Sequence, residues 1–381
     1  MINDKLIYIS AGETSGDLLG SEVIKELMTI DPYLKIKGIG GSSMVIQGLD
    51  PVFRTEEFGF MGFFEIFSHI LFIKKVMNTM VKNIIKDQPK VILLIDFSEF
   101  HIKLAKRLRK HNIRSKIIKY VSPQIWASRS GRIYDIVANY DCLCCILPFE
   151  KEIYKDHDID CRYVGHPLLD KIKIRYSKEE FYKFLKTGSN KKIISIFPGS
   201  RKQEIEKHME ILLKTVKELK NERDDLAFFI SRNENISFDD HSSIFEKENI
   251  TVVDSVYQWE LIKYSDIVLC KSGTSSLQTA LMNTPSIIFY RINSFSYFIA
   301  KRIIKTKYIS LPNIIAKKLI VPELMQNDFT VENLRSETMR YLNDKEYYEN
   351  TVSELEKVTN SIGDKGAGKK VAEAVIEYLN R

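Results

Sequence analysis

Long apolar runs are missing from this chain. No stretch of about 18–20 consecutive apolar residues occurs, so the sequence predicts no membrane-spanning helix. The N-terminus, MINDKLIYIS, has no basic segment followed by an apolar core and a cleavage site, and we expect no secretory signal peptide. The five cysteines are an odd number without regular spacing, which argues against a disulfide framework. Together these absences predict a cytosolic protein.

Two kinds of site are excluded because their motifs are absent. Cys142, Cys144 and Cys145 share one apolar run, but no histidine or second CxxC pair is near them. We therefore expect inert thiols and no metal site. The first three glycines of the chain are four residues apart and do not form the GxGxxG fingerprint, which disfavours an NAD-dependent dehydrogenase.

The composition is that of a folded protein large enough for two domains. It is 44% hydrophobic and 28% charged, and 381 residues exceed the roughly 250–300 at which a single core stops growing. The net charge of +7 would suit nucleic acid, an anionic membrane or a phosphorylated small molecule, and does not choose among them.

Short apolar runs alternate with longer helical patterns along the whole chain. The runs are residues 6–9, 35–39, 91–95, 116–121, 142–147, 162–164, 192–197, 227–230, 251–253, 267–270 and 286–289. This alternation predicts an α/β fold with parallel strands and crossover helices in two doubly wound domains. The pattern restarts near Lys191, so we interpret the polar stretch 173–192 as the linker. Ligands of such sheets bind at the carboxyl ends of the strands.

Carboxylates follow two strands of the first half. Glu13 and Asp17 come after the first strand, where they would repel a pyrophosphate but suit sugar hydroxyls or a proton to be removed. The alternative is a helix start that favours Asp17 through its dipole. Asp96 ends a wholly apolar strand and is a candidate general base, or else the N-cap of the next helix.

Two loops of the second half open helices after strands. They are Gly199, Ser200 and Arg201 in one loop, and Ser272, Gly273 and Thr274 in the other. Free backbone N–H groups, close approach at glycine and the guanidinium group all suit phosphate oxygens. Each loop alone would fit an ordinary capped helix. Together they predict a diphosphate that is gripped from two sides.

Residues 58–73 form an unusually apolar segment that is followed by lysines. Its apolar side chains cover a wider arc than one core-facing stripe. The segment would suit a helix that lies in a membrane interface, and the alternative is an ordinary buried helix. His166 also follows a strand. A structural role and a functional role both stay open for this residue.

These loops taken together resemble lipid-A-disaccharide synthases, over residues 10 to about 330 and in the family's order. The matching stretches are SAGETSGDLLG (10–20), GIGG (38–41), MGFFEI (61–66), YVSPQIWASR (120–129), LPFEKEIY (147–154), CRYVGHPL (161–168), FPGSRKQEIE (197–206), KSGTSSLQTAL (271–281), YRIN (290–293), AKRIIKTKYISLPNIIA (300–316) and VPEL (321–324). GETSGD and YISLPN are long enough to make the resemblance specific.

The resemblance implies a GT-B fold, with two Rossmann-like domains that face a cleft. The acceptor and membrane-facing domain would comprise residues 1–175 and the C-terminal helices of about 345–381, which cross back to it. The donor domain would comprise residues 190–344. The returning helices would be compatible with a homodimer formed by swapping.

The implied activity is an inverting glycosyl transfer without metal or other cofactor. The family joins 2,3-diacylglucosamine from its UDP derivative to the 6-hydroxyl of 2,3-diacylglucosamine 1-phosphate (lipid X), which gives the β-1,6-linked lipid A disaccharide 1-phosphate and UDP. The expected location is the cytoplasmic face of the inner membrane of a Gram-negative-type bacterium. No nucleic-acid partner is expected.

The resemblance also assigns roles to residues. The donor would be bound by Gly199, Ser200, Arg201, Ser272, Gly273, Thr274, Gln278 and Asn313. Asp96 would take the acceptor proton, with Glu13 and Asp17 as rival bases, and Arg201 would neutralise the leaving diphosphate. The acceptor and membrane side would include Gly16, Phe64, Phe67, Leu71 and His166.

Three positions depart from the family pattern. Glu99 stands where an aspartate is usual, Ser128 replaces a tryptophan, and Gln278 replaces a glutamate that is expected to bind the donor ribose. An amide still bonds hydroxyls, but more weakly than a carboxylate. Two alternatives therefore stay open: a UDP-sugar 2-epimerase on the same fold, and a non-catalytic lipid-binding protein on a disabled glycosyltransferase scaffold.

Overall fold

The computed structural model describes residues 3–59, 66–234, 236–293, 297, 302 and 306–381. The chain divides into two compact units. The first unit comprises residues 1–170 and 364–381, and the second comprises residues 171–363. Each unit is built on one parallel sheet, so the predicted fold class is confirmed.

Seven parallel strands form the sheet of the first unit. They are β1 (Asn3–Ala11), β2 (Lys35–Gly40), β3 (Leu49–Arg54), β4 (Pro89–Ile95), β5 (Lys116–Tyr120), β6 (Cys142–Cys145) and β7 (Asp160–Tyr163). Their order across the sheet is β3-β2-β1-β4-β5-β6-β7. The helices between them are α1 (Thr14–Ile30), α2 (Ser42–Ile46), α3 (Glu56–Gly59), α4 (Ile66–Asp87), α5 (Ser98–Lys110), α6 (Ile133–Asn139) and α7 (Glu150–Tyr154).

Six parallel strands form the sheet of the second unit. They are β8 (Lys192–Phe197), β9 (Leu226–Arg232), β10 (Ile250–Asp254), β11 (Ile267–Lys271), β12 (Ser286–Tyr290) and β13 (Glu323–Met325), in the order β10-β9-β8-β11-β12-β13. The helices are α8 (Lys178–Phe184), α9 (Lys202–Glu222), α10 (Ser242–Lys247), α11 (Gln258–Lys263), α12 (Thr274–Leu281), α13 (Leu311–Ala316), α14 (Val331–Asn343) and α15 (Lys345–Ile362). The last helix, α16 (Ala367–Asn380), belongs to the first unit.

Burial on both faces explains why the central strands are uninterrupted apolar runs. Leu93 of β4 packs in one core with residues of α1 and α16. Its neighbours Ile92 and Leu94 pack in the opposite core with residues of α4 and α5. All three are completely buried. Within the described residues, no helix is both long and apolar enough to cross a membrane.

In each sheet the strand order reverses beside the first strand of the unit. Ala11 at the end of β1 pairs with Ile95 at the end of β4, and Phe197 at the end of β8 pairs with Cys270 in β11. Such a switch point opens the crevice in which doubly wound sheets bind ligands. The four loops that the sequence selected follow these four strands.

Two strands at sheet edges were not predicted. β3 contains Pro51 and is largely half-buried, and β13 has only three residues. An edge strand tolerates proline and needs no apolar run, because one side of it makes no ladder bonds. Neither strand therefore has the pattern by which the central strands were found.

The unit boundaries also differ from the sequence prediction. Residues 173–192, expected to be a linker, lie in the second unit and contain α8. Ser177 and Glu180 form a reciprocal capping box at its start, and Phe181 is fully buried against Tyr264. Helix α15, expected to return to the first unit, stays in the second, whereas residues 364–381 return.

Candidate active site

A pocket of about 390 Å³ lies at the carboxyl ends of β8 and β11 in the second unit. Most of the predicted donor-binding residues line it, namely Gly199, Ser200, Ser272, Gly273, Thr274 and Gln278. The other lining residues are Phe197, Pro198, Ser231, Asn233, Gln258, Lys271 and Ser275. The structure thus brings the two predicted phosphate loops together.

Two glycines give the pocket its open floor. The backbone φ angle is +129° at Gly199 and +143° at Gly273, a region that favours glycine. A Cβ atom at Gly199 would lie 3.1 Å from Glu204 Oε2. Helices α9 and α12 start directly beside these loops, and neither start has a side-chain cap. Uncapped N–H groups at a pocket wall suit an anion.

Gln278 lies in the pocket wall with an unpaired amide. The residue is only 7% exposed, and no hydrogen bond to its side chain is found within the described residues. Although most of the residue is covered, its amide atoms are not among the buried polar atoms that lack a partner in the described residues, and Gln278 lines the open pocket. Its position in α12 therefore makes it available to ligand hydroxyl groups.

Asn313 has a different role from the one that we predicted. Its Nδ2 donates to the carbonyl of Val321 and to Glu323 Oε1, at 2.9 and 2.8 Å. Its Oδ1 accepts from the N–H groups of Ile320 and Val321, at 2.8 and 3.0 Å. These four bonds use the full capacity of an amide. Asn313 therefore orders the turn before β13, which corrects our assignment of its side chain to the donor.

Arg201 lies at the N-cap of α9 with an exposed side chain. It is not among the residues that line the pocket. No ion pair or hydrogen bond of its guanidinium group is found in the described part of the chain. Burial raises the pKa of Tyr290, and the positive charge of Arg201 acts in the opposite direction.

His208 contacts the first phosphate loop from behind the pocket, and the sequence did not reveal it. It is fully buried on α9; its Nδ1 donates to the Pro198 carbonyl at 3.0 Å, and its Nε2 accepts from the Arg291 N–H at 3.2 Å. Burial lowers the pKa of His208 below its usual value. The neutral ring therefore ties the first phosphate loop to the residue that follows β12.

Asp96 lies at the switch point of the first unit, in a strained turn. The φ angles of Asp96 and Phe97 are +49° and +43°, which is uncommon for residues other than glycine. His101 Nδ1 donates to the Asp96 backbone carbonyl at 2.8 Å, and Lys119 Nζ donates to the same oxygen. No donor to the Asp96 carboxylate is found among the residues described. The turn is thus held through its backbone, and the carboxylate stays available.

The groups beneath this turn form a completely buried polar cluster. His101 and Lys119 are 0% exposed, and Ser10 Oγ lies 2.9 Å from His101 Nε2. Burial lowers the pKa of Lys119 to about 7. Burial, together with the charge of Lys119, holds the pKa of His101 well below its usual range. Sequence patterns do not indicate this cluster, because Lys119 lies inside an otherwise ordinary strand.

Asp17 is occupied by the backbone rather than exposed to a ligand. Its carboxylate accepts N–H groups from Gly41, Ser43 and Met44, at 2.6, 3.0 and 3.1 Å, and so caps α2 from outside. The residue is 5% exposed. Glu13, in contrast, is exposed at the start of α1 and makes no side-chain cap. Among the three candidate bases, this geometry favours Asp96 and Glu13 over Asp17.

Comparison with known proteins places this arrangement in a family. The family model described as lipid-A-disaccharide synthetase matches residues 7–375. The lipid-A-disaccharide synthase of Geobacter sulfurreducens is 32% identical, over 98% of this chain and 97% of its own. That of Persephonella marina is 35% identical, over 98% and 99%.

The chain belongs to the lipid-A-disaccharide synthase family. Our prediction of a glycosyltransferase of lipid A disaccharide synthesis is thereby confirmed at the level of the family.

Solved structures share the fold of this family member at low sequence identity. UDP-GlcNAc 2-epimerase from Neisseria meningitidis, bound to UDP-GlcNAc, gives a TM-score of 0.61 at 12% identity, over 98% of this chain and 99% of that chain. The calicheamicin glycosyltransferase gives 0.62 at 10% identity, over 100% and 99%. These likenesses confirm the GT-B fold and do not separate a transferase from an epimerase.

The residues assigned to the acceptor and membrane side of this synthase-family chain are only partly described. Gly16 is buried in the first turn of α1, where a Cβ atom would lie 3.1 Å from Ala11 Cβ. His166 is buried, and its Nδ1 accepts the N–H of Leu168 at 3.2 Å. Leu71 is 63% exposed. The predictions for Phe64 and for the side chain of Phe67 lie outside the described residues.

The positions that depart from the family pattern are accounted for in part. Glu99 is ion-paired with Arg129, at 2.5 Å, and with Arg132.

All five cysteines are free. Across the described ranges, no group of three or more His, Cys, Asp or Glu side chains is arranged to hold a metal ion.

Proposed function

We propose that this chain transfers the 2,3-diacylglucosaminyl group of UDP-2,3-diacylglucosamine to the 6-hydroxyl of 2,3-diacylglucosamine 1-phosphate. The bond from C1 to the diphosphate breaks, a C1–O6 bond forms with inversion, and UDP leaves. The products are the β-1,6-linked disaccharide 1-phosphate, UDP and one proton. The observation that carries this proposal is the pocket with two uncapped helix starts, in a member of this family.

The second unit would bind the polar head of the donor. Backbone N–H groups at the starts of α9 and α12 would receive the phosphate oxygens, and Gly199 and Gly273 would allow close approach. The amide of Gln278, which lines the pocket, would bond the ribose hydroxyls. Arg201 would stabilise the charge that develops as UDP leaves. Because side chains would supply this charge, we propose that transfer needs no metal ion.

The first unit would supply the base. Asp96 offers a carboxylate without a described partner, on a turn whose backbone is fixed by His101 and Lys119. A hydroxyl nucleophile needs such a group to take its proton as the new bond forms. Glu13 is the rival base, because it follows the neighbouring strand end and its carboxylate likewise has no partner among the described residues.

We also propose that α4 helps the enzyme to meet its acylated substrates at a membrane surface. Ile70 and Leu71 are 59% and 63% exposed. Lys74 and Lys75 follow one turn later and are exposed as well. Apolar side chains next to lysines suit the interface of an anionic bilayer. This contact would place the enzyme at the cytoplasmic face of the inner membrane.

The membrane proposal predicts that Ile70→Ser with Leu71→Ser lowers binding to vesicles of anionic phospholipid by about tenfold or more, because two apolar side chains leave the interface. Vesicle flotation measures this binding. The matched control is Tyr33→Ser with Ile46→Ser, which removes two side chains of the same unit that are even more exposed, at 82% and 79%. Unchanged binding of the α4 variant would contradict the proposal.

The function is tested by acceptor-dependent release of UDP. The purified chain is mixed with UDP-2,3-diacylglucosamine and labelled lipid X in detergent micelles containing a chelator. We expect disaccharide and UDP in equal amounts, and neither when lipid X is omitted. If the chain were inactive in the presence of the chelator and added Mg²⁺ restored its activity, only the proposed independence from metal would be contradicted.

The same assay distinguishes the two alternatives. An epimerase would change the sugar nucleotide without lipid X. A non-catalytic protein would bind lipid X and release no UDP. Either result, obtained with a folded sample, would overturn the proposed transfer.

A further inference from the structure

One cation of the donor pocket lies in neither predicted phosphate loop. Lys271 is the last residue of β11, and its side chain is 21% exposed. Its Nζ lies 3.1 Å from Glu204 Oε1 and 5.3 Å from the centre of the Tyr290 ring. Of the side chains that line this pocket in the described part of the chain, Lys271 alone carries a positive charge.

The position of Glu204 explains why the pocket needs the positive charge of Lys271 to bind an anion. Its side chain is 14% exposed and lies beneath the first phosphate loop, where its Oε2 would touch a Cβ atom at position 199. This oxygen is buried and has no hydrogen-bond partner within the described residues. A carboxylate in this place would repel a diphosphate at the adjoining helix starts, unless a cation stands beside it.

We propose that Lys271 is a diphosphate-binding residue of the donor site and that Glu204 positions it. The inference rests on the proposed function, since it names a further residue of the same UDP site. An ammonium group has three N–H donors, so one can stay with Glu204 while others bond phosphate oxygens. Lys271 thereby offsets the Glu204 charge and adds attraction for the ligand.

This assignment separates two cations that the sequence could not distinguish. Arg201 is exposed at the helix start and does not line the pocket, whereas Lys271 does. Lys271 is therefore expected to set the affinity for UDP in the resting enzyme. Arg201 is left to act on the charge that appears only as UDP departs.

The test is calorimetric binding of UDP and of uridine to the full chain and to Lys271→Met. We expect the variant to bind UDP about 10- to 100-fold more weakly, the range for loss of a hydrogen bond to a charged group. Binding of uridine, which carries no phosphate, should be unchanged. A merely structural lysine would alter both ligands alike.

The matched control is Lys192→Met. Lys192 is also an ion-paired lysine at a strand end of this sheet, with its Nζ 2.8 Å from Asp266 Oδ1, but it lies at the amino end of β8. We expect its affinity for UDP to equal that of the unchanged protein.

A double variant guards against a misfolded single variant. Lys271→Met leaves the Glu204 charge unpaired, so adding Glu204→Gln should restore stability and recover part of the lost UDP affinity. A folded variant, single or double, that binds UDP as tightly as the unchanged protein would overturn the role of Lys271. If the unchanged protein binds UDP no better than uridine, the proposed donor fails instead.

Discussion

Asp96→Asn is expected to lower kcat for glycosyl transfer by about 10²–10⁴-fold, the usual contribution of a general base. Asparagine suits this test because it tolerates the left-handed turn at Asp96 and keeps the carbonyl to which His101 and Lys119 donate. Folding and UDP affinity should therefore stay close to those of the unchanged protein. Steady-state kinetics, with UDP binding measured in parallel, checks both expectations.

Glu13→Gln is the matched control for this loss. Glu13 also lies at the switch point of the first unit; it is exposed, and no partner of its carboxylate is found in the described part of the chain. We expect its removal to reduce kcat far less than removal of the Asp96 charge. If Asp96→Asn were fully active and Glu13→Gln lost most of its kcat, Glu13 would be the base instead of Asp96.

Asp17→Ala is expected to destabilise the first unit by about 3 kcal/mol. The substitution leaves the N–H groups of Gly41, Ser43 and Met44 without their acceptor; those of Gly41 and Met44 are buried, and each buried unsatisfied donor costs roughly 1–3 kcal/mol. Urea unfolding measures the change. In a Trp259→Phe background the fluorescence reports Trp126, which lies in the first unit.

Glu22→Ala controls for the loss of a negative charge on the same helix, since Glu22 is exposed and no hydrogen bond or ion pair of its side chain is found within the described residues. It should leave the unfolding transition unchanged. The decisive comparison is kcat per folded molecule. If Asp17→Ala were as stable as the unchanged protein but lost activity a hundredfold, Asp17 would be a catalytic base after all.

Most of the fold could be predicted from the sequence because buried parallel strands need no polar face. The run Val91–Ile95 is apolar throughout since both of its faces are covered. The strands β3 and β13 could not be found this way, because they lie at sheet edges. The boundary error had a visible cause, since the SKEE sequence at Ser177 is a capping box inside the supposed linker.

From the strand pattern alone, the candidate site was predictable where its residues share a loop, whereas Gln278 in α12 was found through the family resemblance. Gly199 and Gly273 were found because ligands of such sheets bind in the loops that follow the strand ends at a switch point, and both glycines lie in such loops. The ligand-binding or catalytic roles predicted for Asp17 and Asn313 did not anticipate their backbone partners. The N–H groups that donate to Asp17 lie 24 to 27 residues away in the chain, and those that donate to Asn313 lie beyond the next turn. Lys271 was missed because the direction of a side chain at a strand end follows from packing, which sequence spacing does not encode.

The return of α16 has a consequence for how the protein is made. The core of the first unit includes Val371, Val375 and Tyr378, which are completely or almost completely buried. These residues follow the second unit in the chain, so they leave the ribosome only after the whole of that unit has been synthesised. The unit that is translated first is thus the one that is completed last, and until then its strands and α1 present an uncovered apolar face to chaperones. A chain truncated before residue 364 would keep all the residues of the second unit, but its first unit would lack the helix that covers its core.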